Sequence, residues 1–212
     1  MKKIIVLAAL ALLMGAPVFA QSELPPGYLS EVRGAARYVM IGEGDFDLYE
    51  GGFGGEVQYR NWSYDPIGWA LSLGVEQFQA QSDSSDLGVP TIGDFDGDLM
   101  LIPVGASVLY RLIDMDGWRL TVEGGLRYVF ADSSIDFAEV GLTKRENLDV
   151  GDGVIAVIGA DIERLITEDI SVFFGGGYNA DLLPGEITIP HDTLKDNELK
   201  GLFFHLGAGV SF

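Results

Sequence analysis

The stretch Gly201-Leu202-Phe203-Phe204-His205-Leu206-Gly207-Ala208-Gly209-Val210-Ser211-Phe212 decides the fold. Leu202, Phe204, Leu206, Ala208, Val210 and Phe212 fall on one face of an extended chain. Phe203, His205, Gly207, Gly209 and Ser211 fall on the other. One face is wholly apolar and the other is small or polar apart from Phe203, a period of two that belongs to a strand and not a helix. The stretch from Trp118 to Phe130 repeats it. Trp118, Leu120, Val122, Gly124, Leu126, Tyr128 and Phe130 oppose Arg119, Thr121, Glu123, Gly125, Arg127 and Val129. Charges alternate with aliphatics, and aromatics stand at both ends of the apolar face, as on a strand that faces lipid.

Working outward, period two predicts eight strands, at about 31–41, 53–62, 68–79, 99–112, 118–130, 154–166, 170–179 and 202–212. The outward sets are Val32, Gly34, Ala36, Tyr38 and Met40; Phe53, Val57 and Tyr59; Trp69, Leu71, Leu73 and Val75; Val104, Ala106, Val108, Tyr110 and Leu112; Ile158, Ala160 and Ile162; and Ile170, Val172, Phe174 and Tyr178. Each segment is long enough to cross a bilayer at a tilt, which takes about 9–11 residues. The connections alternate in length. Short ones lie at 63–67, 113–117 and 167–169 and carry Asp, Pro, Gly or Thr, all turn formers. Long ones lie at 42–52, 80–98, 131–153 and 180–198. Eight crossings put short and long connections on opposite sides. The expected fold is therefore all-β: an eight-stranded antiparallel up-and-down transmembrane β-barrel with short periplasmic turns and long external loops. Lipid offers no hydrogen-bond partner, and a closed sheet pairs every backbone group without leaving an edge.

The N-terminus reads as an export signal over residues 1–20, leaving a barrel domain over 21–212. Lys2 and Lys3 precede an unbroken apolar run from Ile4 to Met14, and Val18 and Ala20 are small residues placed for cleavage. The run is too short for a transmembrane helix, which needs about 20 residues. There is no cysteine, which excludes a disulfide scaffold, thiolate metal sites and a lipid anchor on an N-terminal Cys. The net charge is −19, and the leader contains two lysines and no acid, so the exported chain is more acidic still. That argues against nucleic acid as a partner.

These features resemble the eight-stranded outer-membrane barrels grouped with the OmpA and OmpX transmembrane domains and the related porin family. The stretches that carry the likeness are Ile102-Pro103-Val104-Gly105-Ala106 leading to Tyr110-Arg111-Leu112, Gly124-Gly125-Leu126-Arg127-Tyr128, Gly159-Ala160-Asp161-Ile162-Glu163-Arg164-Leu165, and Gly207 to Phe212. The resemblance covers about residues 30–212. It implies residence in the outer membrane of a Gram-negative cell, contact with outer-membrane lipid and lipopolysaccharide, and Phe212 as the assembly signal read by the barrel-assembly machinery. The expected oligomeric state is a monomer. The chain ends at the last strand, so the cell-wall anchoring of full-length OmpA proteins is not implied.

The inward faces collect Arg33, Arg37, Glu56, Arg60, Glu76, Arg111, Arg119, Glu123, Arg127, Asp161, Glu163 and His205. Buried charges must be paired, at a cost of several kcal/mol per ion otherwise. The expected arrangement is a salt-bridge network filling the lumen; a narrow or gated ion path is the alternative. No catalytic residue is expected. Gly-x-Ser-x-Gly is absent, and the two histidines are His205 and His191, the latter in a long loop. The long connections hold 20 of the 32 acids against Lys144, Arg145 and Lys195, and are expected to be a solvated acidic surface. Within them Asp94, Asp96 and Asp98 offer oxygen ligands at alternate positions, a weak Ca or Mg site without the bidentate Glu of an EF-hand. No other cofactor is expected. The functional expectation is a non-catalytic envelope or surface-interaction protein. The rivals are a narrow porin-like channel, a lipid-modifying outer-membrane enzyme, and a soluble lipocalin-like barrel.

Overall fold

The computed structural model describes residues 29–41, 49–80, 92–96, 98–133, 135–139, 145–183, 185–189, 192–197 and 200–212, with side chains at 29–40, 51–79, 98–132, 151–183 and 200–212. Residues 1–20, expected to be an export leader, most of the first long connection and His191 lie outside the described residues. The strands are β1 (Ser30–Ile41), β2 (Tyr49–Tyr64), β3 (Ile67–Ala80), β4 (Ile92–Asp96), β5 (Asp98–Met115), β6 (Trp118–Ser133), β7 (Ile135–Glu139), β8 (Arg145–Val150), β9 (Gly153–Leu165), β10 (Ile170–Leu183), β11 (Gly185–Ile189), β12 (Asp192–Asn197) and β13 (Gly201–Ser211).

Eight of them close a barrel in the order β1-β13-β10-β9-β6-β5-β3-β2, with every pair antiparallel. The first and last strands seal it from Glu31↔Ser211 to Ile41↔Gly201. Ser30 and Phe212 then exchange backbone hydrogen bonds at 2.9 and 3.2 Å, so the ladder runs to the final residue.

All eight expected strands are present, and three run at least three residues further toward the long connections. β2 begins at Tyr49 instead of Phe53, β6 ends at Ser133 instead of Phe130, and β10 ends at Leu183 instead of Asn179. The β5–β6 turn is tighter than 113–117. Both strands extend to Met115 and Trp118, and only Asp116 and Gly117 connect them, at φ of 52° and 76°. Two successive left-handed residues make the hairpin turn whose twist matches the strands, and Asp-Gly is its favoured sequence. At the β9–β10 turn the Thr167 hydroxyl accepts hydrogen bonds from the amides of Asp169 (3.3 Å) and Ile170 (3.0 Å).

The long connections depart further from expectation. Their acidic composition predicts solvated loops, yet β4, β7, β8, β11 and β12 form a second, five-stranded sheet ordered β12-β11-β8-β7-β4. Short alternating runs such as Ile135-Asp136-Phe137 and Ile187-Thr188-Ile189 can pair because a strand needs only half its face apolar.

The outer wall keeps the expected parity. Phe53, Val108, Leu126, Ile158, Ile162, Phe174, Leu202, Leu206 and Val210 are all exposed on it. Two outward residues are covered by neighbours: Leu73, and Tyr59, whose ring lies 5.5 Å from that of Trp69 and whose hydroxyl is 3.0 Å from Ser30 Oγ. Tyr59, Trp69, Tyr110, Trp118 and Phe212 stand toward the tight-turn end. Tyr38, Phe53, Tyr128, Tyr178 and Phe204 stand toward the other. An apolar wall between two aromatic girdles is the surface that a bilayer requires.

Candidate functional site: the lumen

Alternation sends every second side chain of the eight strands into the lumen, where eight strands leave room for side chains and little else. Asp161 of β9 is its centre. Its carboxylate takes Arg60 at 2.6 Å, Arg33 at 3.5 Å and the His205 Nε2 at 2.5 Å. Arg33 also pairs with Glu31 at 2.8 Å and with Glu163. Arg60 reaches Glu123 at 3.5 Å, and Glu123 reaches Arg127 at 3.6 Å. Arg127 pairs with Glu56, which takes Arg37 at 2.6 Å, and Arg37 ends the series on Glu76 at 3.2 Å. These side chains are almost wholly buried.

Cations and carboxylates therefore alternate along the series, within strands as well as between them. That is the arrangement a low-dielectric interior demands, since an isolated buried charge would cost several kcal/mol. Neutral groups complete it. Ser107 Oγ donates to Glu123 at 2.8 Å, Gln58 Nε2 to Glu123 at 3.2 Å, and Arg37 Nη2 to Asn179 Oδ1 at 3.4 Å. The guanidinium carbons of Arg33 and Arg37 also lie 4.6 and 4.1 Å from the ring centroids of Phe173 and Phe203. Small residues on β10, the strand between Asp161 and His205, make the space. A Cβ on Gly175 would collide with the Asp161 carboxylate and the His205 ring.

Ten of the twelve expected lumen residues lie in this buried network. Arg111 and Arg119 point inward but sit half-buried at the tight-turn mouth. Arg111 pairs with Asp65 (3.1 Å) and Asp114 (3.4 Å) and lies 4.1 Å over the Trp62 ring. Arg119 joins Asp114 (3.2 Å) to Glu163 (3.7 Å), so the network continues from the mouth to Glu76. Glu31 is a further member, two residues before Arg33 on the same inward face. It is the second residue of β1, where the pattern has barely begun, and both that parity and the excess of inward arginines over inward acids are signals for it.

A second feature beyond the sequence reading is apolar. Val39, Phe78, Leu99, Leu101, Val129, Ala131, Ile155, Val157 and Phe203 are buried inside the half of the barrel nearer the long connections. Leu99-Met100-Leu101-Ile102 and Ile155-Ala156-Val157-Ile158 are apolar at consecutive positions, the mark of a strand covered on both faces. At the opposite mouth a smaller cluster of Leu29, Trp62, Ala70 and Leu109 packs beside Arg111.

Of the cation-site residues, Asp98 is exposed at the start of β5, while the side chains of Asp94 and Asp96 lie outside the described residues. The backbone register sets Asp96 of β4 opposite Asp136 of β7. His205 is enclosed between Phe173 and Phe203, each ring centroid 5.7 Å away, and is engaged by Asp161.

No family model matches the sequence, and neither does any curated protein. The fold does have solved counterparts. The outer membrane protein OprG from Pseudomonas aeruginosa superposes with a TM-score of 0.65 at 13% identity, covering 87% of this chain and 95% of that one. A major outer membrane protein from Thermus thermophilus gives 0.58 at 15% identity, covering 88% and 100%. Neisserial surface protein A gives 0.50 at 12% identity, covering 89% and 98%. At such identities the likeness is one of architecture, and it agrees with strand number, closure and alternation. The chain has the fold of the eight-stranded outer-membrane β-barrels.

Proposed function

We propose that the protein is an integral outer-membrane barrel whose wall is a non-catalytic scaffold, with an envelope-maintaining or surface-binding role carried by its acidic external region. The observation that carries this reading is the filled lumen. Ion-paired arginines and carboxylates run from the tight-turn mouth to Glu76, and packed apolar side chains fill the end nearer the long connections, inside a wall whose exposed residues are apolar between aromatic girdles. The tight turns and both chain ends then lie on the periplasmic side. The long connections, with their acidic composition, lie on the external side, toward lipopolysaccharide. Phe212 is bonded into the closing seam and serves as the terminal aromatic read by the assembly machinery. The reading is of a monomer, because a closed barrel leaves no barrel edge to pair.

Outer-membrane fractionation with heat-modifiable migration in detergent gels tests it. The expected result is a membrane-fraction band that shifts on boiling. A soluble periplasmic protein with no shift would overturn the proposal. Unchanged lipid A by mass spectrometry on overexpression is expected for a non-catalytic barrel, and a modified lipid A would overturn that part.

A further inference from the structure

Arg33, Arg37, Arg60, Arg111, Arg119 and Arg127 all face the lumen, and each forms an ion pair. Arg164 does neither. It alternates with Ile162 and Ile166, exposed residues of the outer wall, so it stands on the lipid-facing side of β9. It is placed at the tight-turn rim, opposite Trp118 of β6 and Val172 of β10. Its guanidinium is held: Nη1 donates to the Asp116 carbonyl at 2.6 Å, and Cζ lies 5.0 Å from the centroid of the Trp118 ring. No carboxylate pairs with it among the described residues, and no acceptor among them engages Nε or Nη2.

A guanidinium fixed at the edge of an apolar wall, with donors unspent, offers a site to an anion. Arginine's fork suits a phosphate, and an indole beside it suits the boundary between hydrocarbon and headgroups. We propose that Arg164 binds the phosphodiester of a glycerophospholipid in the leaflet nearer the tight turns, with Trp118 packing against the same lipid. The proposal rests on the membrane reading above. The Asp116 carbonyl and the indole hold the guanidinium in advance, so little side-chain freedom is lost on binding. On the side of Arg164 nearer the middle of the wall, the outward residues Ile162 and Phe174 lie opposite each other and are apolar and exposed, a surface for acyl chains below the headgroup.

Native mass spectrometry of the full chain in detergent with added phosphatidylglycerol tests it, beside Arg164→Gln and Trp118→Leu. The wild type should retain a lipid. Arg164→Gln should lose about tenfold in retention, the scale of one hydrogen bond to a charged group, and Trp118→Leu should lose less. Millimolar inorganic phosphate should not displace the lipid. Equal retention by wild type and Arg164→Gln, both heat-modifiable, would overturn the lipid site and leave the barrel reading intact. Displacement by inorganic phosphate would overturn the lipid as the source of the anion. A wild-type chain that does not insert into phospholipid vesicles would overturn both readings.

Discussion

The lumen is filled by two different chemistries, which meet where Glu76 lies opposite Leu101 and Arg127 opposite Ile155. Toward the tight turns, Arg33, Arg60, Glu123, Asp161 and their neighbours hold each other by charge. Toward the long connections, Leu99, Leu101, Val129, Ile155 and Phe203 hold each other by contact. Both solutions exclude an open bore, but they fail differently. Removing one ion leaves others buried without a partner. Removing one aliphatic leaves a cavity that its neighbours can partly close. The charged half is therefore the more exacting part of the molecule, and substitutions can sharpen or break that contrast.

The largest effect is expected at Asp161, which serves Arg33, Arg60 and His205 together. Asp161→Ala should lower the unfolding free energy in detergent by about 3–5 kcal/mol, the cost of breaking a buried pair from one side. In the apolar half, Leu101→Ala should cost about 2–5 kcal/mol, with the lower end expected where the neighbours relax into the space. If Leu101→Ala proved more damaging than Asp161→Ala, the contrast would be wrong. Glu76→Gln comes next, at about 1–3 kcal/mol, because Arg37 keeps Glu56 and the amide still accepts a hydrogen bond. The smallest effect belongs to the outer sheet. The register places Asp96 and Asp136 directly opposite. Like charges so placed oppose pairing by about 0.2–1 kcal/mol, which a divalent cation would relieve. Millimolar calcium should therefore raise the melting temperature slightly, and Asp136→Asn should remove the increment. No shift in the wild type would count against a cation there.

What is legible in the sequence follows the same division. The charged network can be read because an arginine or glutamate between apolar residues marks its face unambiguously, as at Arg127 between Leu126 and Tyr128. The apolar half cannot. Along 99–102 and 155–158 both faces are aliphatic, so alternation carries no information about which side is inside. The outer sheet is hidden for a different reason. Its strands are short and acidic, and the β4–β7 and β8–β11 pairings bring together three different connections, which no local pattern encodes. Glu31 lies at the point where alternation starts. Arg164 belongs to a stretch that carries the family likeness, yet its position beside Trp118 depends on the β6–β9 register.

Planar-bilayer conductance puts the closed lumen to the test. Wild-type protein should give little or no steady current, and Glu123→Ala should leave it closed because Leu101, Val129 and Ile155 still seal the other half. Large, steady conductance steps from the wild type would contradict the filled barrel and replace the scaffold with a channel.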